Sequence, residues 1–167
     1  MAVVITKSAE ITNRDASPMV KNNSNVEAGM VRSCVGVAAV ANGDSIGSVY
    51  PLCVIPSNAR VDQVLILNDA ITAAAGSVGL YRTTAEGGAA VSAGLFAVGA
   101  SLATASTAGV DLTHAATGAF LIANAEKPLW QALGLAADPS LTYVLAVTLT
   151  AAATAGGSVV AKVRYAI

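Results

Sequence analysis

The sequence predicts an all-β protein: one antiparallel β-sandwich with a single short helix and an extended N-terminal arm. Three observations carry this expectation. Short runs rich in Val, Ile, Leu and Tyr recur between turn signals about every ten residues, the spacing of a sandwich or jelly roll rather than a helical bundle. The last run sets Val159, Ala161, Val163, Tyr165 and Ile167 against Ser158, Val160, Lys162 and Arg164. Such alternation marks a strand with one face in a core and the other in water. A chain of 167 residues is long enough for one domain with a true hydrophobic core and too short for two comfortable ones.

Along the chain, residues 1–30 are polar and broken by Asn13, Asp15, Pro18 and the cluster Asn22-Asn23-Ser24-Asn25, and they read as an extended arm. The sandwich domain then spans residues 31–167. A Val- and Ala-rich run from Val31 to Ala41 meets Asn42-Gly43 and resumes through Ile46, Val49, Leu52, Val54 and Ile55. An Asn-Gly pair between two apolar runs predicts a tight hairpin, because both turn residues must tolerate positive φ. Arg60 to Leu67 reads as a strand apolar on both faces, with Val61, Gln63, Leu65 and Leu67 on one side and Asp62, Val64 and Ile66 on the other. Ser77 to Thr83 is a further strand. The Ala-rich stretch from Ala89 to Ala123 mixes helix-favouring Ala with Val, Thr, Ser and Gly, and reads as strands with irregular connections. Asn124 as a cap, Pro128 in the first turn, and Leu129, Trp130, Leu133 and Leu135 at near-helical spacing predict the one helix. A closing hairpin is expected from Tyr143–Leu149 through Ala155-Gly156-Gly157 to the final strand.

Composition narrows the function classes. Apolar residues make up 54% of the chain and charged ones only 11%, against about 25% charged in an ordinary soluble domain. A weakly charged surface of small side chains is comfortable when another protein covers it, which points to an assembly. Nine Lys and Arg and ten Asp and Glu are scattered singly, so no basic stripe offers phosphate contacts, and direct nucleic-acid binding is not expected. The segment Met1 to Lys7 lacks the pattern of a secretory leader, so cytosolic synthesis is expected. Gly87 to Val110 carries no charge over the length of a membrane helix, but its Ser, Thr and Gly content and its unanchored flanks argue against a membrane role. Cys34 and Cys53 lack the spacing of a metal clasp and are expected as buried reduced thiols, with a disulfide between strands as the alternative.

Chemistry has few footholds. His114 is the only histidine; Asp111 could orient it, yet it is expected to be a loop or interface residue. No nucleophile-elbow, metalloprotease or phosphate-loop motif occurs, and no catalytic, cofactor or metal residue is assigned. Asp62 with Asp69 or Glu86 could form a carboxylate pair only if the fold brought them together. Trp130 with Leu129 and Leu133 is expected to seal one end of the core rather than to dock a partner.

Several segments together resemble a known family: Glu10 to Pro18 (EITNRDASP), Pro56 to Val61 (PSNARV) running to Asn68-Asp69-Ala70-Ile71, Gly79 to Thr83 (GLYRT), and Leu129 to Leu135 (LWQALGL) followed by Asp138-Pro139. The set is similar to head decoration, or cement, proteins of tailed bacteriophages, over nearly the whole chain. That resemblance implies a jelly-roll-like domain, made in the host cytoplasm, that binds the outer surface of the capsid and bridges phage major capsid protein subunits. It further implies self-association, with a homotrimer favoured over a homodimer, and no enzymatic activity. The arm is the natural contact element, through Val3, Ile5, Ile11, Arg14, Val20 and Lys21, because an extended segment can add a strand to a neighbour's sheet; the alternative is a disordered tail. Rival expectations are another virion component, such as a tail or fibre-base protein, and a carbohydrate-binding or hydrolytic sandwich.

Overall fold

A computed structural model describes residues 6–167. Two four-stranded antiparallel sheets pack face to face, so the sandwich expected from strand patterning is present. The strands are β1 (Val31–Val40), β2 (Val49–Pro56), β3 (Arg60–Asn68), β4 (Ala75–Arg82), β5 (Ala90–Ser101), β6 (Ser106–Asp111), β7 (Thr142–Ala151) and β8 (Gly157–Ala166). One sheet runs β1-β8-β3-β6 and the other β2-β7-β4-β5. The stretch 87–110, uncharged and apolar, is thus mainly β5 and β6, and no helix among the described residues is long and apolar enough to cross a membrane.

The connectivity corrects two expectations. Asn42-Gly43 does not close a hairpin: β1 pairs with β8 and β2 with β7, so residues 41–48 carry the chain from one sheet to the other. Gly43 and Gly47 take φ of 91° and 90°, as the turn signal required, but their N–H groups donate to the carbonyls of Ala153 and Leu149 at 2.9 Å each. The Asp44 carboxylate accepts from the Ala41 N–H at 2.8 Å and from the Tyr50 hydroxyl, and these bonds, the one from Tyr50 first, hold its carboxyl below the ordinary value. The expected closing hairpin is likewise absent, since β7 and β8 lie in opposite sheets and Ala155-Gly156-Gly157 bridges them. A turn signal reports local φ tolerance; it says nothing about which strand will satisfy the edges it releases.

Core composition follows the alternation. From one sheet Val61, Val64, Ile66, Val159, Ala161 and Val163 are buried; from the other, Cys53, Ile55, Val78, Leu80, Tyr143, Leu145, Val147 and Leu149. In β3 the inward set is Val61, Val64 and Ile66 rather than Val61, Gln63 and Leu65, because a bulge between Val61 and Gln63 flips the pleat by one residue. β5 is irregular in the same way: Val78 to Leu80 of β4 faces Ala97 back to Ser92, and the extra residues tuck Leu95 and Phe96 into the core. The buried Asn68 amide donates to the carbonyls of Asp69, Leu102 and Thr104 at 2.7, 2.9 and 2.9 Å, which offsets its desolvation.

The helix near Trp130 is one turn, α3 (Leu129–Ala132), with Pro128 at the N-cap rather than inside the first turn. Leu129 is fully buried, Leu133 packs against the core and Trp130 is half-buried, so the cluster closes one end of the sandwich. The arm is not extended throughout. It forms α1 (Ala9–Arg14) and α2 (Ser24–Glu27). Ser8 caps α1, its Oγ accepting from the Ile11 N–H at 3.4 Å, while Glu10 and Arg14 sit at the ends that the helix dipole favours. With no strand beside it to pair with, this segment satisfies its backbone locally.

β1 is built the wrong way round for an ordinary core strand. Its inward residues are Cys34, Gly36, Ala38 and Val40, while the bulkier Val31, Val35 and Val37 face outward. Small inner side chains let β2 press against β1: a Cβ on Gly36 would stand 1.9 Å from the Leu52 carbonyl oxygen. Gly36→Ala is therefore expected to cost about 1–3 kcal/mol or more, read as a lowered denaturant midpoint with unchanged slope; wild-type stability would contradict this close approach. The Tyr143 hydroxyl is buried without a hydrogen-bond partner among the described residues. Tyr143→Phe is expected to leave the melting temperature unchanged or raise it, since removing an unsatisfied buried donor has no lost bond to set against it; a clear drop would show that the hydroxyl has a partner in solution.

Candidate assembly surface

Among the residues of 6–30 whose burial is described none is buried, so none of these side chains belongs to the sandwich core. Its polar side chains bind one another. The Asn13 Nδ2 donates to Asn22 Oδ1 at 3.0 Å, Asn22 Nδ2 to the Glu10 carbonyl at 3.3 Å, and the Val20 N–H to the Asn13 carbonyl at 3.1 Å. Lys7 and Arg14 both reach Asp15, at 2.9 and 3.2 Å, and their hydrogen bonds, Lys7 first, hold its carboxyl below the ordinary value. The result is a hook tied to itself and joined to β1 at Met30.

Apolar side chains on this hook find no shelter: Met19 is 65% exposed, Val20 51% and Met30 67%. Arg14, Met19, Val20, Lys21 and Glu27 line a concavity of about 340 Å³. Three of the expected contact residues, Arg14, Val20 and Lys21, therefore meet at one place. Ile11 stands apart, half-buried on α1, and Val3 and Ile5 lie outside the described residues.

Continuing from Met30, the outward face of β1 presents Val31, Val35 and Val37, exposed by 56, 60 and 67%. In register across the sheet, Val37 meets Val160 and then Leu67, while Val35 meets Lys162 and then Leu65. Arg164 and Asp62 border this row as an exposed ion pair at 3.3 Å. The exposed apolar residues of the arm and the valine row thus follow one another along the chain, with exposed Arg32 and Ser33 between Val31 and Val35. Sequence reading missed the valine row; its signal was the alternation in mid-β1, where Val35 and Val37 are flanked by the smaller Cys34, Gly36 and Ala38.

The other candidates resolve into structural roles. His114 is exposed in the loop after β6, its Nδ1 3.1 Å from the Phe120 carbonyl and its ring stacked on Phe120 at 5.1 Å. Asp111 does not orient it; burial opposes the charge of that carboxyl, but bonds from the Thr113 hydroxyl and N–H and from Gln63 prevail and keep it below its ordinary value. Asp62 pairs with Arg164, Asp69 accepts from the Ser158 N–H at 2.7 Å, and Glu86 accepts from Thr83, so each carboxylate has its own local partner. Among the described residues no group of three His, Cys, Asp or Glu is placed to hold a metal.

No family model matches the chain, and no curated protein sequence does either. Two solved structures match the chain. A chain of the cyanophage Pam1 capsid asymmetric unit superposes with a TM-score of 0.54 at 20% identity, covering 83% of this chain and 86% of that one. A chain of the acidic stable capsid structure of Helicobacter pylori bacteriophage KHP30 gives a TM-score of 0.40 at 16% identity, covering 83% and 94%. The first likeness establishes a shared sandwich fold.

Because no arm residue whose burial is described is buried, deleting residues 1–29 is expected to shift the melting temperature by no more than a few degrees and to preserve the β-rich circular-dichroism spectrum. Loss of cooperative unfolding in the truncated chain would show that the arm supports the core.

Proposed function

We propose that this chain is a structural protein of a tailed-bacteriophage virion, a decoration protein that binds the outer capsid surface and bridges major capsid subunits. The observation that carries this reading is the hook and valine strip. Both expose apolar side chains, Met19, Val20 and Met30 on the hook and Val31, Val35 and Val37 on β1, that the chain's own core leaves uncovered. The fold shared with a chain of the Pam1 capsid supports the same reading, as do the segments resembling decoration proteins. In this reading Arg14, Val20 and Lys21 seat the arm on a neighbouring subunit, with Val3, Ile5 and Ile11 extending the contact. Self-association, as a trimer before a dimer, multiplies weak single contacts into firm attachment. The work done is mechanical: subunits tied across their boundaries resist the pressure of packaged DNA.

Co-sedimentation with purified undecorated heads tests this. Full-length protein is expected to pellet with heads and to saturate, while the chain lacking residues 1–30 stays in the supernatant. Val20→Asp, which replaces an exposed apolar side chain of the concavity with a charge, should weaken retention at least tenfold. Full-length protein that never binds heads would end the decoration reading.

A further inference from the structure

The chain's two cysteines sit on strands of opposite sheets, Cys34 on β1 and Cys53 on β2. Cys34 points inward, half-buried and packed against the core. Two positions along the same face, Gly36 leaves the gap that admits the Leu52 backbone. The next β2 residue, Cys53, is 1% exposed, and its Sγ lies 3.8 Å from the carbonyl oxygen of Ala161, the β8 residue paired with Gly36. Residues two apart on a strand face stand about 7 Å from each other. The Cys53 thiol therefore reaches across the gap between the sheets to the inner face of the opposite sheet, beside Gly36 and one side-chain position from Cys34.

We propose that Cys34 and Cys53 are a redox-active pair that closes to an intramolecular disulfide when the protein meets a low-molecular-weight disulfide, fastening one sheet to the other beside Gly36. Cys34, the accessible member, attacks as its thiolate. Its sulfur forms a bond to one sulfur of the reagent, the reagent's S–S bond breaks, and the first thiolate leaves and takes a proton from water. Cys53 then gives its proton to water and displaces the second thiolate from Cys34. Two protein thiols are oxidised by two electrons, and one reagent disulfide is reduced to two thiols. Burial first, and the neighbouring Cys34 thiol second, push the Cys53 thiol up to about 12. The closing step is consequently slow at neutral pH and quickens as pH rises. Reducing cytosol keeps the pair open and an oxidising exterior closes it. None of this depends on whether the chain decorates a capsid.

The test incubates full-length protein with oxidised glutathione at pH 7 and pH 9, then measures intact mass, peptide linkage and melting temperature. The expected product has lost two hydrogen atoms, carries no adduct, yields a peptide pair joined through Cys34 and Cys53, and forms faster at pH 9. Its melting temperature should rise by roughly 5–10 °C, from the entropy removed by closing the loop between them, and dithiothreitol should reverse the rise. Cys34→Ser, altering only the half-exposed position, should abolish both the mass change and the shift. Three results would overturn the proposal: a glutathione adduct resting on Cys34 at both pH values, a crosslink between two chains, or an internal crosslink that leaves the melting temperature where it was.

Discussion

The contact on which the molecule depends is the backbone-to-backbone approach of β1 and β2, opened by the missing side chain of Gly36. It draws the edge strands of two different sheets together at one margin of the sandwich, the margin opposite β5 and β6. Small inner residues on β1 follow from this squeeze, and so does the outward turn of its valines. A strand that cannot spend its bulk on the interior shows it to the surroundings, and an exposed row of valines invites cover. One steric fact inside the fold thus determines what the protein offers outside it.

How far the sequence could be read depends on whether each signal was local or relational. Alternation in β8 is local: Val159, Ala161, Val163 and Tyr165 go inward because side chains on a pleat must, and they were legible as core. The Leu129–Leu133 cluster was legible for the same reason. Pairing partners are relational. Asn42-Gly43 and Gly156-Gly157 mark real turns, yet both deliver the chain to the opposite sheet, a choice made by the edges of β7 and β8 far along the sequence. The bulge between Val61 and Gln63 leaves no residue signature, so the alternation read across it put Val61 on the face opposite Val64 and Ile66, with which it is buried.

The arm shows the same division. Ser8, Glu10 and Arg14 form a short capped helix whose signals are ordinary ones, but a polar segment rich in Asn reads as extended until Asn13 and Asn22 are seen to bond across nine positions. Arg14, Val20 and Lys21 were nameable from the sequence as surface residues of an arm; that they share one hollow is a property of that crosslinked hook. The lone His114 is held by stacking on Phe120, and Asp62, Asp69 and Glu86 are each partnered locally, so the fold does not bring these carboxylates together.

Attachment of the arm at Met30 also sets how a tug would travel. Met30 leads directly into β1, whose ten residues stay in unbroken antiparallel register with β8, and the Met30 carbonyl accepts from the N–H of the terminal Ile167. Tension applied along the axis of β1 would therefore strain the whole ladder to β8 in shear, every rung at once, instead of unzipping it bond by bond. A tether mounted this way fails late and abruptly, the behaviour of a rivet more than of a zip.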